Sequence, residues 1–484
     1  MAAGSLSCSH SRSAAQRVAF LPLENLTGDA ALDWISSAGP KIARSQLLGG
    51  DVRIVPVQVG ALREAYASGA SQLVHGYFEK RREKLHFEFS VEDIRTHKML
   101  RKASQDGDLL AVLNGLTHEI DSGAHAFSST NPQAVAAWGQ GDYERAVSLD
   151  PDFGAAWLDW AQQRVAGGES QQALDVVFRA LRQRSLRSPV DRTQLELLSA
   201  TLRQDASAQQ RALEALARLM PRDAVLLRQL AAREMNIRKF SESVRLYQEA
   251  LQADPEDSES WNLLGYAQAF TGDLAGAQKS FERYASDPSH TANALDSEGE
   301  AYFLHGQFAE AEKKFLEAHA KSPALLGGAD LLKAAHARWL RGDLAGADQQ
   351  FVQYLAFRAQ QKDPLVPWRQ AVWEYSTGRP DAAAARLSNV TGQAADLART
   401  QVALWKDPSK LPTDVAALKQ AYERTPPAAD GITRVLLARA LFQAGQRDEA
   451  RKLLELWPLP GAEGDPLLQS FLFPEYLRLK RELK

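Results

Sequence analysis

A single cysteine, Cys8, stands in a chain of 484 residues. That excludes an intrachain disulfide and, in practice, a structural zinc site built on thiolates. No apolar run approaches the roughly 20 residues that cross a bilayer as a helix. Charge of one sign is not in excess either: 57 Lys and Arg stand against 60 Asp and Glu, a formal net charge of −3. A nucleic-acid binder would carry a marked basic excess, so nucleic acid is not an expected partner. The ten histidines form no His-x-x-x-His or Glu-x-x-His pair on one helix. There is no Gly-x-Ser-x-Gly elbow and no kinase signature set. GDLAGAQKS at 272–280 has the wrong Gly-to-Lys spacing for a phosphate loop and no strand before it. Since GDLAGADQQF recurs at 342, the stretch reads as a repeated turn. Acidic residues are plentiful, mostly as solvated helix faces. The expectation is therefore a protein that is not an enzyme, with no catalytic residue, no cofactor and no metal.

What the sequence has in abundance is repetition. Gly265 and Gly299 lie 34 residues apart, and so do Ala277 and Ala311, Phe281 and Phe315, and Gly272 and Gly306. The same step backwards puts Tyr247 under Phe281, Ala250 under Tyr284 and Pro255 beside Pro288. This period belongs to arrays of helix pairs, in which a unit too small to bury its own apolar face stacks on its neighbours. The strongest units are expected at 224–257, 258–291, 292–325 and 328–361, inside an array running over 129–460. Weaker units begin near 154, 193, 364 and 431. Two helices cross closely only where small residues sit at the contact. That assigns Gly265, Ala277, Gly299 and Ala311 to the crossings, and Phe281, Tyr302 and Phe315 to the gaps between units as core plugs. The turn glycines Gly272, Gly306 and Gly342 are expected to close the first helix of each pair through a left-handed cap.

Ahead of the array, 16–128 reads as an α+β domain. It should hold a strand at 17–23, a helix over 30–48 kinked or restarted at Pro40, a strand at 52–57 and a short helix at 60–67. Long strands at 73–78 and 85–93, a strand at 98–103 and a helix at 109–127 complete it. In the second long strand Leu85, Phe87, Phe89 and Val91 alternate with His86, Glu88 and Ser90, as in a half-buried hairpin. Lys80, Arg81, Arg82 and Lys84 crowd its turn, either as a bare solvated tip or as a contact for phosphate or lipid headgroups. Residues 461–484 are expected to form a C-terminal capping helix. Residues 1–15 lack a basic n-region and a continuous apolar h-region, and read as a disordered leader or as a start placed inside a longer chain. A lipoprotein signal would want Leu three residues before Cys8, and Leu6 stands two before it.

Two resemblances follow from these residues. The stretches AFLPLENLTGD (19–29), LVHGYFEK (73–80) and FEFSVEDIRTHKML (87–100) are similar to the TolB-like domain found fused to helical repeats in bacterial signalling proteins. That family is associated with protein contacts, so the resemblance implies no catalytic residue. The array resembles the tetratricopeptide repeat, whose pattern is large at position 4, small at 8, aromatic at 11, small at 20, aromatic at 24, small at 27 and Pro near 32. In 292–325 it is met by Gly299, Tyr302, Ala311, Phe315, Ala318 and Pro323. In the unit from 258 it is met by Trp261, Leu264, Gly265, Ala277 and Phe281, with Tyr284 where a small residue is usual. The fold implied is an α+β amino-terminal domain followed by an all-α, right-handed helical-repeat solenoid.

In such a stack the first helices line the concave side, and positions 2, 5, 9, 12 and 13 face the groove. These are Asn262, Tyr266 and Phe270, then Asn293, Asp296, Glu300 and Phe303, then His336 and Trp339, then Trp368 and Tyr375. Mixed aromatic and polar residues on a concave face suit a peptide. The repeats that grip acidic chaperone tails carry Lys at 5 and Asn at 9. Here those places hold Asn262 and Tyr266, or Asp296 and Glu300, and Asp296 is expected to repel a terminal carboxylate. The expected function is a non-catalytic scaffold that holds a peptide or a partner domain in this groove. The alternative is the extracytoplasmic sensor or regulatory half of a bacterial signalling system, associated with a kinase or a transcription regulator. Membrane association would be peripheral, through a partner. The resemblance implies a periplasmic location, and a sequence complete as written implies a cytoplasmic one.

Overall fold

The computed structural model describes residues 16–49, 52–55, 69–82, 84–183, 185–388, 390–391, 395–459 and 466–484. The leader expected at 1–15 and the helix expected at 60–67 lie outside the described residues. The chain divides into two compact units, residues 1–230 with 248–256 and residues 231–247 with 257–484.

The first unit opens with a mixed sheet of β1 (Gln16–Phe20), β2 (Glu24–Asn25), β3 (Val52–Val55), β4 (Gln72–Arg81), β5 (Lys84–Asp93) and β6 (Lys98–Asp106). The order is β3-β1-β4-β5-β6, with β2 beside β4. β1 pairs in parallel with β3 and β4, while β4, β5 and β6 form an antiparallel meander. The alternation along β5 puts Phe87, Phe89 and Val91 into the core with Phe20 and Phe78. Against them pack Ile35, Ala38 and Ile42 of α1 (Trp34–Gln46) and Val112, Leu113 and Leu116 of α2 (Leu109–Ile120).

Three expectations change here. The helix is not restarted at Pro40 but runs through it as a single element. Proline leaves the Ser36 carbonyl without its helical donor, and the backbone N–H of Leu23 donates to that carbonyl at 3.1 Å instead. His86, expected to face solvent, is buried, with Nδ1 2.6 Å from Asp106 Oδ1 and Nε2 3.1 Å from Ser104 Oγ. β6 runs on to Asp106 and covers it. α2 stops at Ile120, and the chain turns so that the Phe127 ring reaches Trp138 at 5.5 Å and Phe153 at 5.4 Å.

Helix pairs follow in the same unit: α3 (Pro132–Gly139) with α4 (Tyr143–Leu149), α5 (Gly154–Ala166) with α6 (Ser170–Arg182), and α7 (Pro189–Leu202) with α8 (Ala206–Leu219). The pair placed near 193 begins at Pro189, because Ser188 Oγ accepts the Asp191 N–H at 3.1 Å and Pro189 fills a first-turn position whose N–H needs no partner.

α9 (Ala224–Asn236) and α10 (Phe240–Ala253) contribute to both units. The second unit continues with α11 (Ser258–Thr271), α12 (Leu274–Tyr284), α13 (Thr291–Leu304), α14 (Phe308–Lys321), α15 (Ala329–Leu340), α16 (Leu344–Gln360), α17 (Val366–Ser376) and α18 (Pro380–Ser388). The small residues are required where the spacing placed them. A Cβ on Gly265 would stand 2.4 Å from the Phe281 ring, and one on Gly299 would stand 2.7 Å from Phe315. The turn glycines Gly272 and Gly306 hold φ of +87° and +73°, the left-handed cap. Phe281 and Phe315 are buried plugs, but Tyr302 is only half-buried and the neighbouring Phe303 takes the core position.

The chain ends with α19 (Ala395–Lys406), α20 (Val415–Arg424), α21 (Gly431–Gln443), α22 (Arg447–Leu453) and α23 (Pro466–Glu482). α21 is buried on every face, including Arg434 and Arg439. Leu472, Phe473, Tyr476 and Leu479 of α23 join one core with Phe303, Ala334 and Ala337 of α13 and α15. The fold is an α+β amino-terminal domain followed by an all-α helical-repeat solenoid.

Candidate functional site

None of the groove residues named from the sequence is freely exposed. Tyr266, Asp296 and Glu300, together with Lys333, form a ladder that crosses the three successive first helices α11, α13 and α15. Tyr266 Oη donates to Glu300 Oε2 at 2.9 Å and lies 3.0 Å from Ser297 Oγ, whose hydroxyl can donate to it. Lys333 Nζ, on α15, donates to Glu300 Oε1 at 2.6 Å and to the two Asp296 carboxylate oxygens at 2.7 and 2.8 Å. Burial alone would lower the Lys333 ammonium, but Glu300 and Asp296 outweigh it and hold the pKa above its ordinary value. Asp330, fully buried beside them, is pushed far above the carboxylate range, first by burial and then by Asp296. Asp296 is thus charge-matched from within, and is not the repelling surface the sequence suggested. Lys333 escaped the sequence reading because a lysine on a first helix looks like a solvated residue.

The remaining candidates are packed as well. Phe270 stacks on Phe240 at 4.9 Å, Asn293 lies 3.4 Å from Ser297 Oγ, and Asn262 is half-buried. Phe303, His336 and Trp339 lie against Phe473, with ring centroids 6.3, 4.7 and 5.8 Å away. Burial drives the His336 imidazole down to about 3. Trp368 is buried and Tyr375 half-buried on α17, where α23 also packs. A small aromatic pocket of about 60 Å³ remains between His336, Trp368, Trp373 and Phe473. The inner faces of α13, α15 and α17 are therefore met by α23, while the candidates on α11 pack against neighbouring repeats.

A large concavity lies instead inside the first unit. This cleft, of about 960 Å³, runs along the first helices α3, α5 and α7 and is walled on its other side by α1. Ala155, Leu158, Gln162 and Ala166 line it, and they are positions 2, 5, 9 and 13 of the unit that begins at 154. The positional rule thus finds the cleft when applied to a weaker unit, and the choice of the strongest units missed it. Trp138, Tyr143 and Phe127 give the cleft aromatic walls. Trp138 Nε1 donates to Asp159 Oδ2 at 2.8 Å, and Lys41 Nζ stands 5.8 Å from the Trp138 ring centre.

Two carboxyls share this cleft. Asp159 is raised above its ordinary pKa by burial. Asp191, only 6% exposed, is pushed up to about 6 by burial, with the Ser128 and Ser188 hydroxyls pulling the other way. Gly154 makes room for it, since a Cβ there would come within 2.5 Å of the Asp191 side chain. Among the described residues no group of three or more His, Cys, Asp and Glu is placed to hold a metal ion, and no helix is long and apolar enough to cross a membrane.

Residues 246–279 and 415–472 match family models of the tetratricopeptide repeat. The chain carries tetratricopeptide repeats. No curated protein matches it. Its tetratricopeptide array is similar to solved structures, among them a tetratricopeptide repeat protein from Parabacteroides merdae ATCC 43184, with 13% identity, 52% of this chain and 99% of that chain covered, and a TM-score of 0.40. The C-terminal part of a TPR repeat-containing protein from Cytophaga hutchinsonii aligns at 15% identity over 50% of this chain and 98% of that one, with a TM-score of 0.37. YrrB, described as a TPR protein with an unusual peptide-binding site, aligns at 18% identity over 40% and 97%, with a TM-score of 0.35.

Proposed function

We propose that the protein is a non-catalytic interaction scaffold that holds a peptide, or an extended segment of a partner domain, in the cleft along α3, α5 and α7. Tetratricopeptide repeats support the class of protein-interaction scaffold. The observation that carries the choice of site is the cleft itself: it is open, large enough for several side chains, and lined by the repeat positions that face a ligand. The corresponding positions of the later repeats are engaged with the chain's own residues, so they offer a partner little surface.

A photoreactive residue replacing Gln162 in the cleft should cross-link the partner in the native host, and one replacing the exposed Gln171 on α6 should not. Equal capture from both positions would remove the support for this site.

A second reading is favoured by one feature, that α1 of the sheet domain supplies a wall of the same cleft. In it, the TolB-like domain and the first repeats act together as the regulatory half of a bacterial signalling system whose catalytic or DNA-binding chain is separate. Deleting the genes that neighbour this one would then abolish the cross-link from Gln162.

A further inference from the structure

We infer that the cleft is a cation-anchoring site, built to take one lysine or arginine side chain of the partner segment, with its charged head at the carboxyls of Asp159 and Asp191 and its stem against Trp138 and Tyr143. This rests on the reading that a peptide segment occupies the cleft, and it adds the chemistry of that segment.

The acids elsewhere in the chain give the contrast. Asp150, Asp254, Asp296, Glu312, Asp430 and Glu475 are all buried, and each has a lysine or arginine at ion-pair distance. Asp191 is as buried as these and has no such cation among the described residues, nor has Asp159. Asp330 also lacks one, but it is enclosed within the Lys333 ladder, away from any large cavity. Asp191 lines instead a space of about 960 Å³, and its Oδ2, buried against Gly154, has no hydrogen-bond partner among the described residues. The groups that do bond the Asp191 carboxyl, the Ser128 and Ser188 hydroxyls and the Ala155 N–H, are neutral and leave it without a counter-charge. A buried carboxyl without a counter-charge is costly, and the raised pKa of both acids expresses that cost.

The walls fit the same ligand. An ammonium or guanidinium is attracted to the face of an indole or phenol, and the structure already places one cation, Lys41, beside the Trp138 ring. Long basic side chains also bury their methylene stems against apolar surface while the head stays polar. Leu158, Phe127 and Tyr143 supply that surface. Lys41 and Arg44 stand exposed on the α1 wall, so the residues that flank the anchor should be acidic or uncharged.

Random peptides displayed on phage and selected on the full chain test the assignment. Recovered peptides should share a lysine or arginine at one fixed place. Replacing it by norleucine, or making Asp191→Asn or Asp159→Asn, should each weaken binding about tenfold or more, as for one partner of a buried charge pair. The norleucine peptide should bind wild type and the Asp159→Asn/Asp191→Asn double variant equally, which ties the loss to the charge contact and not to altered folding. If the peptides share no basic residue, or bind both Asn variants as wild type while Ala155→Trp abolishes binding, the cation anchor is wrong and the cleft reading stands. If no recovered peptide is sensitive to Ala155→Trp, both fail.

Discussion

The ring of Phe473 on α23 lies 4.7 Å from the imidazole of His336 on α15. These residues are separated by most of the second unit in sequence, and their contact means that α23 sits where a ligand of the later repeats would sit. Phe473 also reaches Trp339 and Phe303, so one side chain closes the inner faces of two first helices.

Phe473→Ala should therefore behave as a core deletion, costing about 3–5 kcal/mol. Urea unfolding followed by circular dichroism measures it. A loss below about 1 kcal/mol would mean that α23 is a loosely attached appendage.

Gly299 is confined by Phe315 across the α13 and α14 crossing. Gly299→Val should lower stability by roughly 1–3 kcal/mol through overpacking, even though valine is a better helix former than glycine. An unchanged thermal melt would place the crossing elsewhere.

Lys333 holds Asp296 and Glu300 together in the interior. Lys333→Met leaves two carboxylates buried without a counter-charge and should cost about 3–5 kcal/mol. Adding Asp296→Asn and Glu300→Gln should restore most of that loss. If the triple variant unfolds as easily as the single one, packing and not charge explains the lysine.

Asp191 sits at about 6 when folded, against an ordinary value of 3.8. A carboxyl that binds its proton more tightly in the folded chain contributes stability that is fully present below about pH 4 and lost as pH rises through about 6. Asp191→Asn should consequently raise the melting temperature at neutral pH, by an amount equivalent to about 3 kcal/mol, and leave it nearly unchanged near pH 4. Calorimetry at both pH values decides the matter, and an equal gain at the two would point to a packing effect.

Much of the architecture was legible because helix-pair repeats are local: Gly265 with Ala277 and Gly299 with Ala311 announce a crossing inside some 34 residues. The period also tells which helix face turns inward. It does not tell what fills the inside, and so Phe303, His336 and Trp368 looked like ligand contacts when the chain's own end covers that face. One signal was present: Ile432, Val435, Leu436, Leu437, Ala440 and Leu441 spread the apolar residues of α21 around most of its circumference, the mark of a repeat helix covered on more than one side. Asp159 and Asp191 were not legible at all. Each reads as a solvated helix acid, and only the packing of α5 against α7 brings them into one cleft.

The position of α23 also governs the order in which the molecule can be completed during synthesis. Phe303, Ala334 and Ala337 have part of their apolar surroundings, Phe308 among them, from nearby repeats, and gain the rest when Phe473, Tyr476 and Leu479 have been made. Until a translating ribosome reaches those codons, the part of α13 and α15 that α23 meets stays open to the surrounding medium, the condition under which nascent chains become clients of holding chaperones.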